Sequence, residues 1–79
     1  MQFQKRAIGE TLRVLRKERG LSQEVLSGLA GIGRTHLTMI ETGDKIPNIE
    51  TLWKLAEALD LRPSELIARV EELMECGAP

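Results

Sequence analysis

Apolar residues recur along the 79-residue chain at steps of three and four, the spacing of helices with one buried face. From about residue 4 to 19, Ala7, Ile8, Thr11, Leu12 and Leu15 share such a face. Phe3 can extend it, and Val14 lies off it, toward solvent. Gly20 fits a helix stop. Ser22 is a good N-cap for a second, two-turn segment, residues 23–30, closed by Gly31. Gly28 inside it costs about 1 kcal/mol relative to alanine and reads as tolerated weakness rather than close packing. Gly31-Ile32-Gly33 separates this segment from a third, Arg34 to about Thr42, with Leu37 and Ile40 inward. Gly43 ends it, and Pro47 disfavours helix in the residue before it. Asn48 caps a fourth, with a stripe of Ile49, Leu52, Leu55, Ala56 and Leu59 and with Trp53 at its flank. Pro63 opens a fifth, to about residue 75, carrying Leu66, Ile67, Val70, Leu73 and Met74. Residues 77–79 are expected to fray. No stretch alternates with period two. The pattern predicts an all-α fold of five helices in one domain, residues 1–79.

Composition narrows the function. A second core would need roughly 50 more residues. Apolar residues make up 42% of the chain, yet no run approaches the ~20 residues of a membrane span. The first residues, MQFQKRAIGETL, hold no segment of signal-peptide length. A soluble, cytoplasmic domain is expected. Cys76 and His36 are each the sole residue of their type, and tyrosine is absent. One thiol makes neither an intrachain disulfide nor a cysteine-based zinc site, and a Ser–His–acid set lacks a nucleophile elbow. No catalytic residue, metal or cofactor is expected. Charge is uneven: residues 1–45 carry eight basic and five acidic side chains, residues 46–79 three and seven, so the halves are +3 and −4. The first half suits a polyanion, although scatter over solvated helix faces gives a similar split.

Residues 22–43, SQEVLSGLAGIGRTHLTMIETG, place two short helices around a glycine turn, the helix-turn-helix pattern. The geometry requires Leu26 inward, a small Ser27 at the helix crossing, a positive φ at Gly31, Ile32 under the turn, and Leu37 and Ile40 as anchors. All six residues suit. The outward positions of the second helix are Arg34, Thr35, His36, Thr38, Met39 and Thr42, mostly polar and short. Arg34 stands at the N-terminus, where this motif first meets base edges.

The chain resembles the Cro/CI-repressor type of helix-turn-helix, the xenobiotic-response-element family. The resemblance rests on Ile8-Gly9, Leu12, Leu15-Arg16, Gly20-Leu21-Ser22-Gln23, Leu26, Gly31-Ile32, Ile40-Glu41, Gly43, Pro47, Leu52, Leu55-Ala56 and Leu59, roughly residues 8–67. It implies a compact lambda-repressor-like domain that binds double-stranded DNA. Ser27 departs from the usual alanine; Val25 and Gly28 replace polar helix formers. By position, the resemblance gives Gln23 a backbone contact and puts Arg34, Thr35 and Thr38 where bases are read. Arg34 can bond guanine O6 and N7, and the threonines offer a hydroxyl and a methyl. Thr42 and Lys45 lie beside the phosphate backbone. Arg16 and Glu41 resemble an ion pair tying the first helix to the end of the recognition helix; the alternative for Arg16 is a phosphate contact. Arg13, Lys17 and Arg19 are either solvated or phosphate-bound. His36 is either simply exposed or in contact with phosphate or base, and no second ligand supports a metal there. Trp53 reads as a core-edge or interface aromatic.

A lone helix-turn-helix reads few base pairs, so a homodimer on a pseudo-palindromic operator is expected. The fifth helix is the candidate interface. At about 100° per residue from Leu66, Val70 lies near 40°, Met74 near 80°, Ile67 near 100° and Leu73 near 340°. That arc exceeds what one neighbour needs. Ile67, Met74 and Val70 are the expected interface, with Ile67 and Met74 toward the partner and Leu66, Val70 and Leu73 toward the core; the alternative is that all five are core. Size and architecture resemble restriction–modification controllers and small prophage repressors, with no small-molecule effector expected. The other functional class is an antitoxin-type interaction module that binds a toxin as well as its own operator.

Overall fold

The computed structural model describes residues 3–76. Five helices follow in order: α1 (Lys5–Glu18), α2 (Gln23–Ala30), α3 (Arg34–Thr42), α4 (Ile49–Ala58) and α5 (Pro63–Cys76). The all-α, five-helix expectation holds. The expected fraying of residues 77–79 lies outside the described residues.

Local chemistry sets the boundaries. Ser22 Oγ accepts the Val25 N–H at 3.0 Å, and Asn48 Oδ1 accepts the Thr51 N–H at 2.8 Å. Each satisfies a donor that the first helical turn leaves without a partner. At the start of α5 the Glu65 carboxylate accepts the Arg62 N–H at 2.8 Å. One stop gave no sequence signal: Asp60, just past α4, has φ of 60°. A short polar side chain tolerates that left-handed conformation.

Every helix contributes to one core. Leu12, Leu26, Leu37, Ile40, Leu55, Leu59 and Leu66 are the largest of its fully buried side chains, and each such burial contributes about 1.5–3 kcal/mol. α1 packs on α3 and α5, α2 on α3 and α4, and α4 on α5. The α1 stripe is buried as its spacing predicts, and Val14 is exposed. Thr11 Oγ1 is buried there with no hydrogen-bond partner among the described residues.

Two apolar residues depart from the pattern. Ile49, predicted within the α4 stripe, is 70% exposed. It is the first residue of α4, at the edge of the buried arc, and Thr51 turns inward instead. Phe3, expected to extend the α1 stripe, precedes the helix and is also exposed. Gly28 meets the tolerance reading: a Cβ there would have nothing within 4 Å. Gly28→Ala is therefore expected to stabilise the domain by up to about 1 kcal/mol. Thermal unfolding monitored by circular dichroism checks this; a lowered midpoint would mean that the position is packed.

Candidate nucleic-acid interface

The turn between α2 and α3 is built from backbone geometry. Gly31 has φ of 71°, which a side chain would strain, and the Ile32 N–H returns to the Ser27 carbonyl at 3.0 Å. Ile32 packs half-buried against the core below the turn. Ser27 is buried, and its hydroxyl donates to the Glu24 carbonyl at 3.0 Å, so serine at this crossing leaves no unsatisfied group. Leu37 and Ile40 hold α3 from behind with no exposed surface.

On the other side, α3 rests directly on the backbone of α1. A Cβ on Gly9 would run into the Ile40 carbonyl oxygen and stand 2.7 Å from that of Glu41. Gly9 thus sets the distance between the two helices. It matched the family pattern in the sequence, but nothing in the apolar spacing revealed this steric role.

Four polar side chains join α1, α2 and α3. Arg16 Nε donates to Glu41 Oε2 at 2.8 Å and its Nη2 donates to Oε1 at 3.1 Å. Its Nη1 donates to the Leu21 carbonyl at 2.9 Å. The two side chains are 11% and 3% exposed. The hydrogen bond to Glu41 raises the guanidinium above its ordinary pKa, burial opposes that, and the carboxylate's charge adds to it. Gln23 Nε2 donates to Glu41 Oε1 at 2.9 Å, while Gln23 Oε1 accepts from Thr38 Oγ1 at 3.0 Å. The Thr38 hydroxyl is equally near the Arg34 carbonyl. Gln23 retains one amide N–H, and the Thr38 oxygen can still accept. The family resemblance implied the Arg16–Glu41 pair but gave no sign that Gln23 bridges it to α3.

The remaining candidates lie along the outer side of α3. Arg34 and Thr35 are exposed at its first turn, and Thr42 and Lys45 are exposed at its end. Arg34 Nη1 is 3.9 Å from Glu24 Oε2, and both side chains are largely in water. Such a pairing contributes little and does not immobilise the arginine. The Thr42 hydroxyl donates to the Met39 carbonyl at 3.1 Å. His36 is half-buried rather than fully exposed, as are Thr38 and Met39, because α3 beds more deeply than a single inward stripe suggests.

The fifth helix divides differently from the expected interface. Val70 belongs to the core, at 5% exposure, and Met74 packs half-buried against it. Val70 takes the core place expected of it and so leaves the interface set, while Met74, expected toward a partner, is partly covered instead; both line one groove with Ile8 of α1. Ile67 remains 45% exposed. Phe3, Ile8, Ile67, Val70, Glu71 and Met74 line a groove of about 220 Å³ at this edge. Among the described residues no group of three or more His, Cys, Asp or Glu side chains could hold a metal, and no helix is long and apolar enough to cross a membrane.

Comparison with known proteins agrees with this geometry. A helix-turn-helix family model, HTH_3, matches residues 12–66. The HTH-type transcriptional regulator y4dJ of Sinorhizobium fredii is 32% identical over 68 residues, which cover 86% of this chain and 88% of that protein. The HTH-type transcriptional repressor RghR of Bacillus subtilis is 36% identical over 77 residues, 92% of this chain but only 57% of RghR. The crystal structure of the restriction-modification controller C.AhdI from Aeromonas hydrophila superposes with a TM-score of 0.74 at 42% identity. It covers 76% of this chain and 91% of its own. The family comprises regulators rather than enzymes. With the motif, its supporting core and these relatives in agreement, the chain belongs to the HTH_3 family of helix-turn-helix, DNA-binding transcriptional regulators.

Proposed function

We propose that the protein is a cytoplasmic regulator that binds a pseudo-palindromic operator as a homodimer, in the manner of a restriction–modification controller. The observation that carries this reading is the outer side of α3. Arg34 and Thr35 stand exposed at its first turn while Leu37 and Ile40 fix the helix from behind. Arg34, Thr35 and Thr38 read bases; Gln23, Thr42, Lys45 and His36 contact the sugar–phosphate backbone. The Gln23 amide fits this role because its second N–H is uncommitted and the positive end of α2 favours an anion. The likeness to C.AhdI supports the controller subtype.

Base and backbone roles separate experimentally. Arg34→Ala is expected to cost about 1–3 kcal/mol on the cognate site and to relax preference at one base pair per half-site. Lys45→Ala should weaken cognate and altered sites by a similar factor, since a phosphate carries no direct sequence information. Binding curves on a panel of single-base operator changes distinguish the two. An unchanged preference profile for Arg34→Ala would remove its base-reading role.

Dimerisation centres on Ile67, with Met74 and Phe3 beside it and Val70 beneath. An exposed isoleucine next to an exposed phenylalanine over a shallow groove favours a second apolar surface there. Sedimentation is expected to show a dimer for the wild type and a monomer for Ile67→Asp at micromolar concentration. A monomeric wild type, or a dimeric variant, would contradict this interface.

A further inference from the structure

A chain of hydrogen bonds runs from the buried ion pair to the outer side of α3, and each link fixes where the next proton lies. Both Glu41 oxygens accept from Arg16, so this group is a carboxylate with nothing to donate. The Gln23 atom 2.9 Å from Glu41 Oε1 must therefore be the amide nitrogen, since the oxygen in its place would set two acceptors against each other. With that nitrogen held inward, Gln23 Oε1 faces Thr38 Oγ1 at 3.0 Å and can only accept. The single hydroxyl proton of Thr38 is thus drawn inward, and the Arg34 carbonyl, also at 3.0 Å, draws it away from the groove as well. Of these two acceptors Gln23 is the stricter. If the hydroxyl turned away, the Arg34 carbonyl would keep its bond from the Thr38 backbone N–H within α3. Gln23 Oε1 has Thr38 as its only partner among the described residues, and would be left unpaired in a contact from which DNA displaces water.

We propose that Thr38 meets the major groove as an acceptor only, and so selects a base that offers an exocyclic amine there, adenine N6 or cytosine N4, over the carbonyl of guanine or thymine. The inference rests on the base-reading assignment of Thr38 above and deepens it by naming the chemical group that is read. Gln23 is the positioning residue for the hydroxyl, and Glu41 fixes Gln23 in turn. Arg34 has donors alone and suits the opposite set, the guanine acceptors. The helix therefore presents a donor at its first turn and an acceptor about one turn later. A freely rotating hydroxyl at Thr38 would not hold that order, because it could meet either kind of base group.

The test uses one duplex, selected by the wild-type protein from a random-sequence pool, with single base groups deleted position by position. Purine in place of adenine and 2-pyrimidinone in place of cytosine remove the amine. 7-Deazaguanine or 2-aminopurine in place of guanine, and 5-methyl-2-pyrimidinone in place of thymine, remove an acceptor. At one position per half-site, loss of the amine should weaken wild-type binding about 2- to 12-fold more than it weakens binding by Thr38→Val. Thr38→Ser keeps the hydroxyl and should keep the wild-type sensitivity. In Gln23→Leu the sensitivity at that position should shrink, because the hydroxyl is free to turn, while sensitivity at the other positions stays. Unfolding midpoints of the three variants serve as the control for folding. Coupling of Thr38 to a deleted acceptor instead of an amine would overturn the proposal and leave Thr38 a base reader. Full sensitivity in Gln23→Leu would overturn the positioning role. If Thr38→Val matched the wild type at every position, the base-reading assignment of Thr38 would fall together with the proposal. Failure of the wild type to select any duplex would overturn the DNA-binding reading itself.

Discussion

Gly9→Ala is expected to destabilise the protein more than any other single added methyl. The new Cβ would meet backbone carbonyls of α3, at Ile40 and Glu41, and not the end of a flexible side chain. Backbone in a helix cannot rotate aside, so α1 and α3 must separate. That separation loosens Leu12, Leu37 and Ile40, which have no exposed surface in the native packing. Overpacking of this kind costs about 3 kcal/mol. For a domain of this size each kcal/mol shifts the midpoint by about 4–8 °C. Thermal unfolding of Gly9→Ala should thus show a fall of about 12 °C or more. Gly28→Ala is the matched control, since its added methyl meets nothing. Equal midpoints for the two variants would show that α1 and α3 do not approach as closely as described.

Glu41→Ala is the second large effect. The carboxylate holds two Arg16 nitrogens and the Gln23 amide, and its side chain is almost wholly buried. Its removal leaves a guanidinium in a partly buried site with only the Leu21 carbonyl as partner. Breaking one side of such a pair costs on the order of 3 kcal/mol, mostly through the uncompensated charge. Replacing both members, Arg16→Met with Glu41→Leu, removes that charge and should recover much of the stability. Urea unfolding of the two single variants and the double variant measures the coupling directly. Because Gln23 also anchors Thr38, Glu41→Ala should weaken DNA binding as well. If DNA affinity shifts while the unfolding midpoint stays fixed, the pair has no structural role.

The fold was legible in the sequence because its helices are short, amphipathic and punctuated. Ser22, Gly31, Gly43, Asn48 and Pro63 each carry a local reason to start or stop a helix, and the structure uses each at that place. What escaped the sequence depends on the distance and angle between helices. Gly9 looks ordinary along α1 and becomes decisive only once α3 lies against it. Gln23 is one polar residue at a helix start until its amide is seen to span Glu41 and Thr38. Met74 sits on a wide apolar arc, and how much of that arc α1 covers is a property of the packing. Ile49 shows the converse: an apolar residue at a suitable interval, carried to the surface by its place at the end of the helix.

The most direct measurement is selection of duplexes from a random-sequence pool by the wild-type protein, followed by sequencing of the bound fraction. The account predicts an enriched inverted repeat. Its half-sites should be about one helical turn apart, or a multiple of that spacing, and each should contain a guanine whose enrichment disappears in Arg34→Ala. Enrichment of no motif, or of a single unrepeated site that Arg34→Ala selects equally well, would contradict it.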